Sequence, residues 1–170
     1  MTEPGASVIL DTVVHVVPNS KAQARMPYSD LMTAPMRREL ADAGFRELRT
    51  PETVDAFMAE TKDTTALLVV NSICGCAAGC MRPALVKALG HEARPGALAT
   101  VFAGLDVEAT ERARAFIPGY ASSSPSVALF KDGDLVFMLE RHQIQGRHPH
   151  MIAEDLVSAF DRLCGAEANA

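Results

Sequence analysis

The stretch "TTALLVVNSICGCAAGCMRPALVKALG", residues 64–90, runs from an uninterrupted apolar segment through three closely spaced cysteines into a helix-forming one. The β-branched run over 64–72 shows no alternation, which predicts a strand covered on both faces, central in its sheet. The segment "CAAGCMRPALVKALG" is rich in Ala and Leu and is closed by Gly90, which predicts a helix. Pro83 within it has no N–H to offer the Gly79 carbonyl, so a kink is expected there. Cys74 is thus placed where a central strand ends and a helix begins, with Cys76 and Cys80 on the helix itself.

Outward from this junction the pattern continues on both sides. Upstream, "YSDLMTAPMRRELADAGF" predicts a helix with Leu31, Pro35, Met36 and Leu40 on a rough helical spacing, restarted or kinked at Pro35 and ended by Gly44. "FRELR" at 45–49 alternates like a short strand. Thr50-Pro51-Glu52 then supplies an N-cap, a first-turn proline and a first-turn acid for a helix to about Glu60. Downstream, "ALATVFAG" (97–104) reads as a second buried strand and "DVEATERARAFI" (106–117) as an exposed helix capped by Asp106. "SVALFKDGDLVFMLER" splits into two alternating runs at Asp132-Gly133, a hairpin signal. The last helix, "HPHMIAEDLVSAFDRLC", sets Met151, Ile152, Leu156, Ala159, Phe160 and Leu163 on one face.

From Phe45 the predicted order is β-α-β-α-β-α-β-β-α. A crossover makes the strands at 64–72 and 97–104 parallel, and the closing hairpin adds antiparallel ones. The fold class is therefore α/β, a central mixed β-sheet flanked by helices, and the order resembles a thioredoxin-like fold. Residues 1–27 are irregular, with Pro4, Gly5, Pro18 and Pro27, and read as an N-terminal extension; residues 28–170 form the single domain.

Composition removes several function classes. The formal charge is −5, and two Tyr, seven Phe and no Trp leave little to stack on bases, so nucleic acid is a poor partner. No apolar run approaches the roughly 18 residues needed to span a bilayer, and the N-terminus has no basic leader, so no membrane association and a cytoplasmic location are expected. In a reducing compartment, bunched cysteines are read as catalytic or metal-binding.

Free N–H groups and the dipole at the helix start favour a thiolate at Cys74, and Arg82 two turns on adds positive potential. A disulfide wants Cα atoms roughly 4.4–6.8 Å apart, whereas two extended residue steps span about 6.6–7.2 Å, so Cys74 and Cys76 pair only if the chain bends at Gly75. The resulring small ring suits exchange chemistry better than permanent cross-linking. Alternatives stand beside this reading. The cysteines are small enough to be buried hydrophobes, or Cys74, Cys76 and Cys80 recruit a fourth ligand from Cys164, His142, His148 or His150 to hold a metal or iron–sulfur cluster. Cys80 is either a third thiol or a core residue, and Cys164 packs on the core or stays a free thiol. "SSSPSVALF" places Ser124-Pro125 just before a strand, where thioredoxin-like folds carry a cis-proline beside the redox cysteines and leave the preceding backbone free to pair with an extended substrate.

Taken together, "VVNSICGCAAG" with "RPAL", "PMRRELADAGFRELRTPETVDAFM", "TVFAGLDVEATERAR", "SSPSVALFKDG" and "RHQIQG" resemble the bacilliredoxin family, over about residues 28–164. The resemblance implies a thiol–disulfide oxidoreductase that removes bacillithiol from S-bacillithiolated client proteins, with a weak disulfide reductase or isomerase capacity. Cys74 would attack the mixed disulfide and retain bacillithiol. Cys76 would resolve it, or free low-molecular-weight thiol would clear Cys74 with help from a flavin disulfide reductase. Gly75, Ser124 and Pro125 would shape the substrate site, and the family assigns Cys80 no settled role. Bacillithiol enters as substrate or adduct, no resident cofactor or metal is called for, and a homodimer is left open.

Overall fold

The computed structural model describes residues 30–165; the extension expected over 1–27 lies outside them. The elements are α1 (Asp30–Asp42), β1 (Arg46–Glu47), α2 (Pro51–Glu60), β2 (Thr65–Asn71), a π-helical stretch (Ala77–Met81) continuing into α3 (Arg82–Ala88), β3 (Ala97–Phe102), α4 (Val107–Ala115), β4 (Ser126–Lys131), β5 (Asp134–Leu139), α5 (Arg141–Ile144) and α6 (Pro149–Leu163). The five strands form one mixed sheet in the order β1-β3-β2-β4-β5. β2 pairs parallel with β3 and antiparallel with β4, so it is central, and β1 and β5 are the edges. This α/β arrangement agrees with the thioredoxin-like fold expected from element order.

The unalternating run of β2 is explained by two cores. Leu67 and Val69 face one, packed with Leu85 of α3 and Ile152, Leu156 and Phe160 of α6. Ala66, Leu68 and Val70 face the other, with Val54 and Phe57 of α2 and Ala109 and Ala113 of α4. Successive side chains point to opposite faces, and each fully buried Val or Leu contributes about 1.5–3 kcal/mol, so neither face tolerates a polar residue.

Local chemistry sets the ends as the residues predict. Gly44 at φ +93° ends α1, with the Phe45 N–H reaching back to the Leu40 carbonyl. Thr50 and Thr53 form a reciprocal cap on α2. Asp132 and Gly133, at φ +53° and +85°, make the tight β4–β5 turn.

Other expectations are corrected. α1 passes through Pro35 without restarting, because the carbonyl left without a donor belongs to Leu31 near the helix start, which is open to solvent. Leu31 and Pro35 consequently face outward, and α1 buries Thr33 and Leu40 instead. Met151 is likewise half exposed, its place on the inner face of α6 taken by Ala153. Asp106 sits at the N-cap position of α4 as expected, but its side chain makes no capping hydrogen bond. Its carboxylate is spent on the Arg37 guanidinium in two 2.8 Å bonds, which tie α1 to the end of β3. The kink expected at Pro83 takes the form of the π-helical stretch, where the Arg82 N–H bonds the Ala77 carbonyl; one extra residue per turn shifts the hydrogen-bond ladder just before the residue that lacks a donor.

Candidate active site

β2 ends at Asn71, and the helical turn begins at residue 75, so Cys74 stands at the junction predicted for it. Its carbonyl accepts from the Ala77 and Ala78 N–H groups at 3.0 and 3.2 Å, which starts the helix and turns these amides toward Cys74. The Cys74 sulfur lies 3.2 Å from Ser72 Oγ. When Cys74 is a thiolate, the Ser72 hydroxyl is the donor. Ser72 precedes Cys74 by two residues, and the chain bends at 73–74 between them.

The electrostatics of the two nearest thiols diverge. Partial burial works against a Cys74 thiolate, but the Cys76 thiol, the Ser72 hydroxyl and the backbone N–H groups of Ala77 and Cys76 together outweigh it, leaving Cys74 below the ordinary thiol value. Burial and the Cys74 sulfur push Cys76 up, against the opposing pull of the Arg141 guanidinium. The two neighbouring thiols are thus shifted in opposite directions, Cys74 down and Cys76 up. All four cysteines are free thiols.

Behind Cys74 lies a buried polar clamp. Arg82, almost fully buried, donates through Nε to Glu39 Oε2 at 2.6 Å and through Nη1 to Asn71 Oδ1 and the Ser72 carbonyl, both at 3.3 Å. Asn71 Oδ1 also accepts the Ser72 N–H at 2.9 Å. Arg82 thus fixes the segment bearing Ser72 through bonds that occupy its charge, rather than lending a free positive potential to Cys74.

Cys74, Gly75, Cys76 and Cys80 line one open cleft of about 310 Å³, faced by Arg141 and the turn at 145–146. Cys80 is half-buried, lining the cleft and packing against the core. Gly75 needs no left-handed backbone here, and a Cβ on it would meet nothing within 4 Å. The Ser124–Pro125 bond is cis. Since Val70 pairs with Ser126, the register continues to set Pro125 beside Asn71, at the same end of the sheet as Cys74. Pro125 is buried, Ser124 is half-buried, and the Ser124 carbonyl accepts from Arg141 Nη1 at 3.3 Å. That carbonyl thus holds one donor and keeps a second lone pair.

Comparison with known proteins adds an independent line. The disulphide isomerase family model matches residues 28–164. A bacilliredoxin of Salinibacter ruber is 52% identical over 143 residues, covering 84% of both chains. One from Cytophaga hutchinsonii is 52% identical over 136 residues, 80% of this chain and 99% of the relative, and one from Geobacillus kaustophilus is 50% identical over 137 residues, 81% and 92%. The chain belongs to the bacilliredoxin family. The role of a bacilliredoxin is thiol–disulfide redox chemistry, and the cleft around Cys74 has the parts for it.

The remaining candidates lie elsewhere. His142 is exposed beside Glu140, and His148 accepts the His150 N–H at the entry to α6. His150 lines a separate groove of about 550 Å³ between α3 and α6, which contains no cysteine. Among the described residues no three His, Cys, Asp or Glu side chains converge to hold a metal ion. Cys164 packs against the core near Thr65 and Lys131, at the opposite end of β2. No described helix is long and apolar enough to cross a membrane. Two residues of this bacilliredoxin site escape sequence reading: Ser72, whose signal was its two-residue spacing from Cys74, and Arg141, which lies in "RHQIQG" among histidines that drew the attention.

Proposed function

We propose that this protein removes bacillithiol from S-bacillithiolated client proteins by thiol–disulfide exchange at Cys74. The observation that carries the reading is the Cys74 sulfur, held 3.2 Å from the Ser72 hydroxyl at a helix start and lowered in pKa, beside a second thiol that is raised. The Cys74 thiolate attacks the bacillithiol sulfur of the mixed disulfide. That S–S bond breaks, the client leaves as a thiolate that takes a proton from solvent, and a Cys74–bacillithiol disulfide forms.

The electrostatics supply an order of events. Two of the causes that raise Cys76, hydrogen bonding and charge repulsion, come from the Cys74 sulfur. Once Cys74 is a neutral disulfide both vanish, the pull of Arg141 persists, and the Cys76 pKa falls. Cys76 then attacks the Cys74 sulfur, expels bacillithiol as the thiol and leaves a Cys74–Cys76 disulfide. Two electrons from a flavin disulfide reductase return the site to dithiol; alternatively, free bacillithiol attacks the Cys74–bacillithiol adduct before Cys76 acts, frees Cys74 as the thiolate and leaves as bacillithiol disulfide, which the reductase returns to thiol. The same exchange on other disulfides would account for a weak reductase or isomerase capacity in the cytoplasm.

The reading is tested by following release of bacillithiol-free client by mass. Cys74→Ser is expected to abolish release, and Cys76→Ser to trap the Cys74–bacillithiol adduct. Full release by the Cys74→Ser protein would overturn the assignment.

A further inference from the structure

Exchange at Cys74 and Cys76 leaves Cys80 unused, yet Cys80 lines the same cleft as both. It is half-buried, and its place along the chain is specific. Residues 75–81 are helical throughout, so distances along the axis follow from the spacing. Cys80 follows Cys76 by four residues, an axial rise of about 6 Å, inside the roughly 4.4–6.8 Å between Cα atoms that a disulfide needs. It follows Cys74 by six, a rise of about 9 Å, which is out of reach. Cys80 can therefore bond to the Cys76 sulfur and not to that of Cys74.

The backbone between the two favours closure. In a regular α-helix, Cβ atoms four residues apart stand about 5–6 Å from one another, beyond the roughly 3.5–4.5 Å of a disulfide. Ala77–Met81 is instead π-helical, with the Arg82 N–H on the Ala77 carbonyl. The extra residue in the turn lowers the rise per residue, which draws Cys76 and Cys80 together. Between them lie only Ala77, Ala78 and Gly79, with no bulk to hold the turn open. A Cβ on Gly79 would meet nothing within 4 Å, so packing does not call for glycine there, and a glycine inside a helix leaves this turn easier to adjust.

We propose that Cys80 is a third catalytic thiol, which attacks the Cys76 sulfur of the Cys74–Cys76 disulfide and returns Cys74 to the thiolate. The inference rests on the exchange reading above and adds a step after it. Cys80 gives its proton to solvent, the Cys76–Cys80 bond forms, the Cys74–Cys76 bond breaks, and the electron pair leaves on Cys74. One disulfide replaces another, so this step needs no outside oxidant or reductant. The departing sulfur is well received: the Ser72 hydroxyl at 3.2 Å and the N–H groups of Ala77 and Cys76 remain to stabilise its charge, and a stabilised thiolate leaves faster. The protein then stores one disulfide at Cys76–Cys80 while Cys74 is free to meet a second client.

The test uses the full reduced chain, with no reductant present, and an excess of one client peptide in mixed disulfide with bacillithiol. The unmodified protein is expected to release two client thiols for each bacillithiol, because the second client leaves its bacillithiol on the regenerated Cys74. Cys80→Ser releases one of each, and Cys80→Ala does the same, which separates the loss of the thiol from any effect of a hydroxyl against the core. Cys164→Ser keeps the ratio of two. With a single equivalent of substrate, differential alkylation and fragment mass mapping should find Cys74 free and Cys76 joined to Cys80 in most of the oxidised protein. A disulfide confined to Cys74–Cys76, a ratio of one in the unmodified protein, or a ratio of two that survives in Cys80→Ser would overturn the role of Cys80 and leave the exchange reading intact. If the unmodified protein released no client at all, that reading itself would fall.

Discussion

Cys74 and Cys164 flank opposite ends of the same central strand, each half-buried and each beside a hydroxyl, Ser72 for one and Thr65 for the other. Burial opposes the thiolate at both. Yet Cys74 lies below the ordinary thiol value and Cys164 above it, despite the help that Thr65 and Lys131 give the latter. The difference is the number of donors. Besides its hydroxyl partner, the Cys74 sulfur has the Cys76 thiol and the N–H groups of Ala77 and Cys76 at the helix start, whereas Cys164 has only Thr65 and Lys131 to set against its burial. A hydroxyl partner alone does not lower a cysteine; the neighbouring thiol and the free N–H groups of a helix start add the rest.

The largest effect that could break this comparison is on turnover. Cys74→Ser should lower bacillithiol release by at least about a thousandfold, since a hydroxyl of much higher pKa replaces the nucleophile, while Cys164→Ser should stay within about twofold. Comparable losses in both variants would erase the distinction. Next comes the clamp that holds the Cys74 end. Arg82→Met removes the bonds to Glu39, Asn71 and Ser72 and should cost about 1–3 kcal/mol in denaturant unfolding, because Asn71 and Ser72 are left partly unsatisfied in a buried place. An unchanged unfolding midpoint would mean that the clamp holds nothing.

A smaller effect is expected on reactivity against pH. The thiolate fraction of a lowered thiol rises at lower pH, so iodoacetamide should modify Cys74 on a profile lying acidic of that for Cys164. Ser72→Ala removes a donor to the thiolate, moves the Cys74 profile to higher pH and slows its modification at neutral pH about three- to tenfold, leaving Cys164 as internal control. Coincident profiles for the two cysteines would remove the basis for calling Cys74 activated. The smallest is at Gly75, which has ordinary backbone angles and open space around it. Gly75→Ala should raise thermal stability of the reduced protein by about 0.5–1 kcal/mol through helix propensity, and a destabilised reduced form would show that the glycine is needed before any disulfide forms.

Much of this was legible in the chain because the signals were local. The unbroken run of β2, the Asp132-Gly133 turn, the Thr50-Pro51 helix entry and the placement of Cys74 all depend on residues within a few positions of one another. The short helix α5 went unpredicted because its four residues carry too little periodicity, and it is the element that delivers Arg141. Leu31 and the Asp106 side chain depart from expectation for a shared reason: each has a strong local preference, one for burial and one for a capping bond, that the surroundings overrode. Leu31 has no partner surface beneath it among the described residues, and Asp106 found a guanidinium from α1.

By itself the sequence determined the α/β order, the central strand and a cysteine at a strand-to-helix junction, since periodicity, turn chemistry and the start of a helix act over a few bonds. Only the tertiary structure decided what surrounds that sulfur. The clamp of Arg82 on Asn71 and Ser72, the cis bond beside Asn71, the approach of Arg141 to Ser124 and the opposite environments of Cys74 and Cys164 all join residues distant along the chain. Such contacts are set by how helices pack on the two faces of the sheet, and no local spacing encodes that.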